Sequence, residues 1–369
     1  GLLNVFTGGA FARASVMALG IMPYISASIV VQLMGIAVPY LQKLQKDGES
    51  GRKKITQITR WLTIVITLVQ APTYITAIKT QFNLPPEAFL VGGVTFWVSS
   101  IIILTAGTIF AMWLGERITD KGVGNGISLL ITVGIIANFP AAFLQEFLSK
   151  TENAGAGGLM MVLIEIIVWF VVILLTVLLV TAVRKIAVQY ARRTVAGNTQ
   201  NVAGSRDYIP LKLNAAGVMP IIFAQAIMFL PLALGQKFPA LVGLTDPNGW
   251  QYNVIFALLI IIFSYFYTAI TIPTNKMAED LKRSGGFIPG IRPGKDTADR
   301  LDSVLSRITF PGSLFLAGLS ILPAIVVQFG VQQGWAMFYG GTSLIIMVGV
   351  AIDTMQQINS YLLNNHYDG

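Results

Sequence analysis

Residues able to carry out acid–base, nucleophilic or metal chemistry are scarce in this sequence. Its 369 residues include no cysteine and a single histidine, His366, near the C-terminal end. Without cysteine there is neither a disulfide nor a thiolate metal site. A single histidine near the end of the chain also excludes most zinc centres and most histidine-based catalysis. The composition therefore argues against most catalytic and metal-binding proteins.

Two acidic side chains and one glycine-rich turn remain as candidates for a polar site. Glu165 lies well inside an apolar stretch and Asp353 lies near the end of another, and we interpret both as snorkelling or capping acids. The string GVGNG at 122–126 resembles a phosphate-binding loop in glycine count only, since the Lys-Ser/Thr ending and a preceding strand are missing. We predict a tight turn there, and neither a metal site nor a cofactor.

Long apolar segments dominate the rest of the chain. Hydrophobic residues make up 54% of it and charged residues 11%, against about a quarter charged in soluble domains. Nine stretches match a hydrocarbon core of roughly 30 Å as helices. They are 22–38, 61–78, 94–114, 127–144, 159–181, 215–234, 252–272, 309–329 and 334–357. Because residues 164–180 do not alternate as barrel strands do, the sequence predicts an all-α, multi-pass membrane protein.

The positive charges indicate how this bundle is oriented. Most of the 25 lysines and arginines lie in alternate loops. There are six in 39–60, two in 115–126, six in 182–214 and seven in 273–308. The positive-inside rule assigns this face to the cytoplasm. The net charge of +8 is then mainly a topology signal, and nucleic acid remains possible only as ribosomal RNA presented to that face.

Two of these loops are long enough to carry structure of their own. Helical spacing of basic residues over 183–193 predicts that the fifth span continues as a helix beyond the membrane. In the other loop we expect a helix over 275–284 that ends at two glycines, a double turn over 287–294 with Arg292 at its tip, and a second helix capped by Asp296. These loops are either charged, solvated surface or a platform for an acidic or RNA-containing partner.

Seven strings, in this order and at these separations, resemble the SecY family of bacterial protein-conducting channels. The resemblance extends from Gly1 to about Tyr367. The strings are ALGIMPYISASI (18–29), DGESGRKK (47–54), MWLGE (112–116), GVGNGIS (122–128), GVMP (217–220), GFIPGIRPG (286–294) and YGGTSL (339–344).

The resemblance implies ten helices in two inverted, pseudo-symmetric halves, of which this chain carries the second to the tenth. We therefore expect the natural chain to begin upstream of Gly1. The implied organisation is a plug at 1–21, an N-terminal half at 22–148, the first span of the C-terminal half at 149–181, a cytoplasmic loop at 182–214, lateral-gate spans at 215–272, a second cytoplasmic loop at 273–308, and the last spans with the tail at 309–369. The plug residues are Gly1, Phe6, Gly8, Gly9 and Arg13.

The resemblance also implies a pore and a gate. The pore ring consists of isoleucines only, and these are Ile21, Ile25, Ile127, Ile131, Ile222 and Ile346. Such a ring makes ion passage costly because an ion loses water without gaining ligands. The lateral gate carries Ser28, Gln32 and Asn214, which either hold it shut by weak interhelical hydrogen bonds or are ordinary packing residues.

Partner docking is the last implied feature. The docking residues are Arg184, Lys185, Arg192, Arg193 and Arg292. The partners are the SecE and SecG subunits, the motor ATPase SecA, the ribosome, signal sequences, nascent chains and membrane lipids. The location is the bacterial inner membrane, and no enzymatic activity is implied. One departure is that Val180 and Thr181 stand where the family often has a Glu-Arg pair.

Two other classes compete with a channel. A secondary transporter also has broken helices, but it usually carries ionisable groups at mid-membrane, which are nearly absent here. An intramembrane protease needs a Ser-His dyad, paired aspartates or a metal site within its spans, and His366 and Asp353 lie too far toward the ends. Solute uptake or proteolysis by the purified chain would favour these classes.

Overall fold

The computed structural model of the protein is built mainly of α-helices. It describes residues 13, 15–81, 85, 87, 89–154, 156–190, 206–234, 239–244 and 246–367. The helices are α1 Met22–Ala37, α2 Pro39–Lys46, α3 Glu49–Gln81, α4 Gly93–Lys121, α5 Gly126–Ala154, α6 Ala156–Thr181, α7 Met219–Leu234, α8 Trp250–Thr271, α9 Thr274–Arg283, α10 Lys295–Gln328, α11 Gln333–Ala336 and α12 Gly341–Tyr367. In the described part of the chain, 3₁₀ segments lie at Pro239–Leu244 and Met337–Tyr339.

Within the described ranges, six helical segments are long and apolar enough to cross a membrane. They are Gly93–Lys121, Gly126–Glu152, Gly157–Thr181, Trp250–Arg283, Lys295–Gln328 and Gly341–His366. A seventh is possible if α1 and α2, which meet at 101°, count as one broken span. All nine predicted stretches overlap helices, so the expectation of a multi-pass helical membrane protein is confirmed.

Proline and glycine set where several of these helices begin. Val38 is extended before Pro39, as expected because proline disfavours a helical residue before it. At 122–126, Gly124 has φ +82° and the Asn125 side chain accepts hydrogen bonds from the N–H groups of Ile127 and Ser128 at 3.1 and 3.4 Å. This cap starts α5 and confirms the predicted tight turn.

The chain divides into two compact units, residues 1–141 with 350–369, and residues 142–349. In the first unit, α3 packs against α1 and α4. Thr59, Thr63 and Thr67 are buried along one face of α3, and each hydroxyl donates to the carbonyl four residues earlier at 2.7 to 2.9 Å. Because these hydroxyls are satisfied within the helix, small side chains can allow close helix packing without unpaired polar groups.

In the second unit, α10 packs closely against α8. Gly312 of α10 lies where a Cβ atom would come within 2.4 Å of the Leu213 carbonyl oxygen, so only glycine fits at that approach. Thr309 and Ser313 are buried near it, with hydroxyls that donate to carbonyls of their own helix. Small residues therefore bring the backbones together in both units.

A three-stranded antiparallel sheet belongs to the second unit. Strand β1 Val183–Tyr190 lies between β2 Arg206–Lys212 and the short β3 Gly286–Phe287. The predicted helical continuation over 183–193 is therefore wrong. Ile186, Val188 and Tyr190 alternate along one face and pack on a shared core, which is the period of a strand, while the pairing partners lie more than fifteen residues away and are not visible locally.

Two other boundaries also differ from the sequence prediction. The residue that precedes α10 is Gly294 with φ +109°, and Asp296 lies inside the first turn instead of capping it. The ninth predicted span is interrupted, because residues 333–339 form short helical segments and α12 begins only at Gly341. The predicted helix end at 285–286 is confirmed, since α9 ends at Arg283 and Gly285 has φ +74°.

Candidate functional site

The six predicted pore isoleucines all lie at the beginnings of helices. Four helices carry them, namely α1, α5, α7 and α12. A glycine with positive φ lies just before each of these helices or is its first residue. These glycines are Gly20 (+53°), Gly124 (+82°), Gly217 (+64°) and Gly341 (+67°). Glycine is the residue that adopts this conformation at low cost. The same backbone feature thus places an isoleucine in the first two turns of each helix.

These isoleucines differ in burial and belong to both units. Ile21, Ile131 and Ile346 are 4%, 7% and 7% exposed. The other three, Ile25, Ile127 and Ile222, are half-buried. The first four in chain order belong to the first unit, and Ile222 and Ile346 belong to the second. Their arrangement as one ring stays a prediction.

The predicted plug segment is described only in its last part. Gly1, Phe6, Gly8 and Gly9 lie outside the described residues, and Arg13 is exposed in a turn. Residues 15–20 form turns, with Ala18 and Leu19 buried against Ala71, Tyr74, Ile75 and Leu104. A Cβ atom on Gly107 would lie 2.1 Å from the Val16 carbonyl oxygen. This part of the segment therefore packs closely on α3 and α4.

The predicted gate residues lie in both units. Ser28 is half-buried and Gln32 is exposed on α1, and both belong to the first unit. Asn214 is half-buried in the turn before α7, where its carbonyl accepts a hydrogen bond from the Gly217 N–H at 3.3 Å. Their role in a gate stays a prediction.

The long loops form one structural element, which we call the sheet module (residues 183–190, 206–212 and 274–308). Its core joins β1, β2, α9, the 288–291 turn and the start of α10. Its buried members are Val188, Leu211, Leu281, Ile288 and Leu301. The strand pairing of Gln189 with Phe287 links the two loops directly. The sequence predicted two separate projections, whereas the structure unites them.

Arg292 is presented by a stiff part of this module. Ile288 is buried in the core and the Ile291 N–H donates to its carbonyl at 3.1 Å. On the other side, the buried Thr297 hydroxyl donates to the Arg292 carbonyl at 2.9 Å. The Arg292 side chain is exposed and forms no ion pair with any described residue. Its guanidinium group is therefore available to a partner.

The described surface of the sheet module is strongly basic. It carries eleven exposed lysines and arginines against six aspartates and glutamates. Arg184 and Lys185 are exposed on β1, opposite Leu211 and Pro210 of β2. Arg192 and Arg193 lie outside the described residues. The excess charge makes this surface attractive to acidic or phosphate-rich partners.

A buried ionic cluster lies at the other end of α10, and sequence reasoning missed it. Lys150 Nζ lies 3.8 Å from Glu146 Oε1 and 3.4 Å from Glu165 Oε1, with the two glutamate side chains 2% and 11% exposed. Glu165 is thus paired inside the protein and is not a snorkelling or capping acid. The spacing of four residues between Glu146 and Lys150 is the sequence signal that points to this pair.

Comparison with known proteins identifies the family. The SecY family model matches residues 15–355. This chain belongs to the SecY family. The protein translocase subunit SecY of Bacillus subtilis is 41% identical over 387 residues, covering all of this chain and 86% of the relative. The subunit of the same name from Chlamydia muridarum is 37% identical over 391 residues, and the match covers 100% of this chain and 85% of the relative.

Solved structures agree on the fold. A structure of a protein-conducting channel has a TM-score of 0.65 at 19% identity and covers 97% of this chain and 84% of its own. Sec61 in a canine ribosome–channel complex from the endoplasmic reticulum has a TM-score of 0.56 at 18% identity. The match covers 94% of this chain and 81% of the Sec61 chain. The fold of this SecY-family chain is therefore that of the channel-forming helical bundles.

Proposed function

We propose that this chain is the channel-forming subunit of a protein translocase, which moves unfolded secretory proteins across a membrane and releases transmembrane segments sideways into lipid. The observation that carries this proposal is the SecY-family match over residues 15–355, together with relatives about 40% identical over the full chain. The membrane is the bacterial inner membrane. The chain acts as a conduit and not as an enzyme.

The proposed pore is lined by the six isoleucines Ile21, Ile25, Ile127, Ile131, Ile222 and Ile346. An apolar constriction excludes ions because they would lose their hydration without gaining ligands. The same side chains offer no hydrogen bonds to a sliding polypeptide, so any sequence can pass. The glycines with positive φ that precede these residues support the idea of a shared role.

The segment 1–21 is the proposed plug, and the helices around Ser28, Gln32 and Asn214 form the proposed lateral gate. The turns of residues 15–20, packed on α3 and α4, support a segment that folds back instead of crossing lipid. Interhelical hydrogen bonds of polar residues in membranes are worth about 0.6 kcal/mol each. Such weak bonds suit a gate that opens for a signal sequence or an apolar nascent segment, which then partitions into lipid.

The sheet module is the proposed docking surface for the ribosome and for SecA, with SecE and SecG as stable partner subunits. Arg292 supports this assignment, since it is exposed, has no ion pair among the described residues and is held by a fixed backbone. An arginine that is already ordered loses little entropy on binding. Arg184, Lys185, Arg192 and Arg193 add basic charge along the same module. Family membership decides against the alternatives of a small-solute transporter and an intramembrane protease.

Single-cysteine crosslinking tests the pore directly, since the chain contains no cysteine of its own. We expect Ile25→Cys and Ile131→Cys to form disulfide crosslinks with a cysteine in a stalled secretory chain. The matched control is Ile102→Cys on α4, which is 61% exposed and outside the proposed ring. Equal crosslinking at all three positions, or none at positions 25 and 131, would contradict the pore assignment.

A further inference from the structure

We infer that Glu146 and Lys150 are positioning residues that hold the connection between α10 and α12 and thereby set the place of Ile346. We call residues 329–340 the α10–α12 connection. The inference rests on the proposed pore role of Ile346, and it assigns a task to the buried ionic cluster that the channel mechanism otherwise leaves unused.

The first part of the connection is held by side chains of α5. The Gln332 N–H donates to Glu146 Oε2 at 2.9 Å, and Lys150 Nζ donates to the Gly330 carbonyl at 2.9 Å. Both side chains are largely buried, with Glu146 2% and Lys150 15% exposed. Buried, charge-assisted hydrogen bonds of this kind are short and strong, so this stretch of backbone is fixed relative to α5.

The last part of the connection is held by α6. Trp169 Nε1 donates to the Phe338 carbonyl at 2.9 Å, and the Tyr339 hydroxyl donates to the Glu165 carbonyl at 2.7 Å. Between these anchors lies Trp335, which is 2% exposed and has aromatic rings around it. Its neighbours, with ring centroids 5.3 to 6.1 Å away, are Phe143, Trp169, Phe338 and Tyr339.

The turn at Gly340 and Gly341 couples the position of the connection to the position of α12. A Cβ atom on Gly340 would lie 2.2 Å from the Leu319 carbonyl oxygen of α10, and Gly341 has φ +67°. Residues 342–346 are largely buried immediately afterward. Ile346 lies five residues into the helix, about 7.5 Å along its axis. A shift of the connection would therefore move Ile346 as part of a rigid helix.

The charges of the cluster explain why Glu146 matters beyond its own hydrogen bond. Lys150 faces both Glu146 and Glu165 at 3.8 and 3.4 Å, so loss of Glu146 changes the balance of charge around the ammonium group that holds Gly330. It also leaves the Gln332 N–H without its acceptor. Both backbone anchors from α5 are thus weakened by one substitution.

The test measures the accessibility of position 346 in the full chain with its partner subunits in membranes. Ile346→Cys introduces the only thiol of this chain, and its rate of modification by a membrane-impermeant maleimide reports exposure to water. We expect Glu146→Ala or Lys150→Met to raise this rate about tenfold, the factor that corresponds to losing about 1.4 kcal/mol of positioning free energy.

Two further variants separate positioning from a general loss of structure. Glu146→Gln keeps an amide oxygen for the Gln332 N–H but loses the charge that faces Lys150, so it should give a rate between those of Glu146→Ala and the parent. Glu152→Ala, an exposed acid of the same helix, should leave the rate unchanged. If Glu146→Ala and Lys150→Met lower the melting temperature but leave the rate unchanged, the two residues only stabilise the fold and the inference is wrong.

Failure of the proposed function gives a different result. In that case the Ile346→Cys variant would form no disulfide with a cysteine in a stalled secretory chain, even without any change at Glu146. The maleimide rates would still report whether the cluster positions α12.

Discussion

The two ends of α10 are stabilised in opposite ways. At its start, the sheet module has an apolar core and keeps its cations at the surface, where Arg292 is exposed and unpaired among the described residues. About 51 Å away along a helix of 34 residues, the α10–α12 connection is held by a buried lysine between two glutamates and by a cluster of aromatic rings.

The difference shows that the surroundings of a cationic side chain determine whether it stabilises the fold or is available to bind a partner. Lys150 donates to internal acceptors and stabilises a connection, whereas Arg292 has a fixed backbone and a guanidinium group with no ion pair in the described part of the chain. A surface cation contributes little to folding stability but much to encounter with an acidic partner. We therefore expect substitutions at one end to affect stability and those at the other end to affect binding.

The largest expected effect is on folding at the α10–α12 connection. Trp335→Ala should lower the free energy of unfolding by about 3–5 kcal/mol, because it removes a large side chain that is 2% exposed. Trp250→Ala is the matched control, since Trp250 is 73% exposed and should change stability little. Thermal unfolding of the purified complex measures the stability of both variants. Equal losses of stability would show that the α10–α12 connection does not depend on its buried aromatic cluster.

The core of the sheet module should respond next. Val188→Ala removes buried methyl groups from a side chain that is 1% exposed and should cost about 1–3 kcal/mol. Hydrogen exchange of the 183–190 amides measures the local opening. Val183→Ala on the same strand, where the valine is 41% exposed, should leave that exchange nearly unchanged. If both variants exchange alike, the module has no core of its own.

Charge reversal at Arg292 should affect binding alone. Arg292→Glu should weaken binding of SecA or the ribosome about tenfold, which is roughly 1.4 kcal/mol, while the melting temperature stays the same. The control is Arg52→Glu, which makes the same change at an exposed position outside the sheet module and should leave the affinity unchanged. Affinity measured at two salt concentrations checks the electrostatic origin, and unchanged affinity would remove Arg292 from the docking surface.

The smallest expected effect concerns the Thr297 hydroxyl. Thr297→Val keeps the side-chain shape but loses the hydrogen bond to the Arg292 carbonyl, which is worth about 1 kcal/mol. Partner affinity should therefore fall by less than it does in Arg292→Glu, and Thr297→Ser should restore it. An affinity of Thr297→Val equal to that of the parent would show that the packing of Ile288 and Ile291 on the module core holds the turn by itself.

Much of the architecture was predictable from the sequence because the bilayer imposes a local rule. Apolar stretches of sufficient length must be helical in lipid, so each predicted stretch overlaps a helix. Local chemistry likewise predicted the turn at 122–126 and the end of α9, where glycine and asparagine act on their own neighbours. The helix predicted over 183–193 failed because Val188 pairs with Asp207 and packs on Leu301, which no local window contains.

The sequence by itself determined the membrane class, the helical segments, the basic face and the family, since hydropathy, charge placement and motif strings are properties of the linear chain. Only the tertiary structure decided that the long loops form one sheet module, that Thr297 holds the Arg292 backbone, and that Glu146 and Lys150 anchor residues more than 170 positions away. These are contacts between distant segments, and their free energy depends on burial and distance, which exist only after the chain has folded.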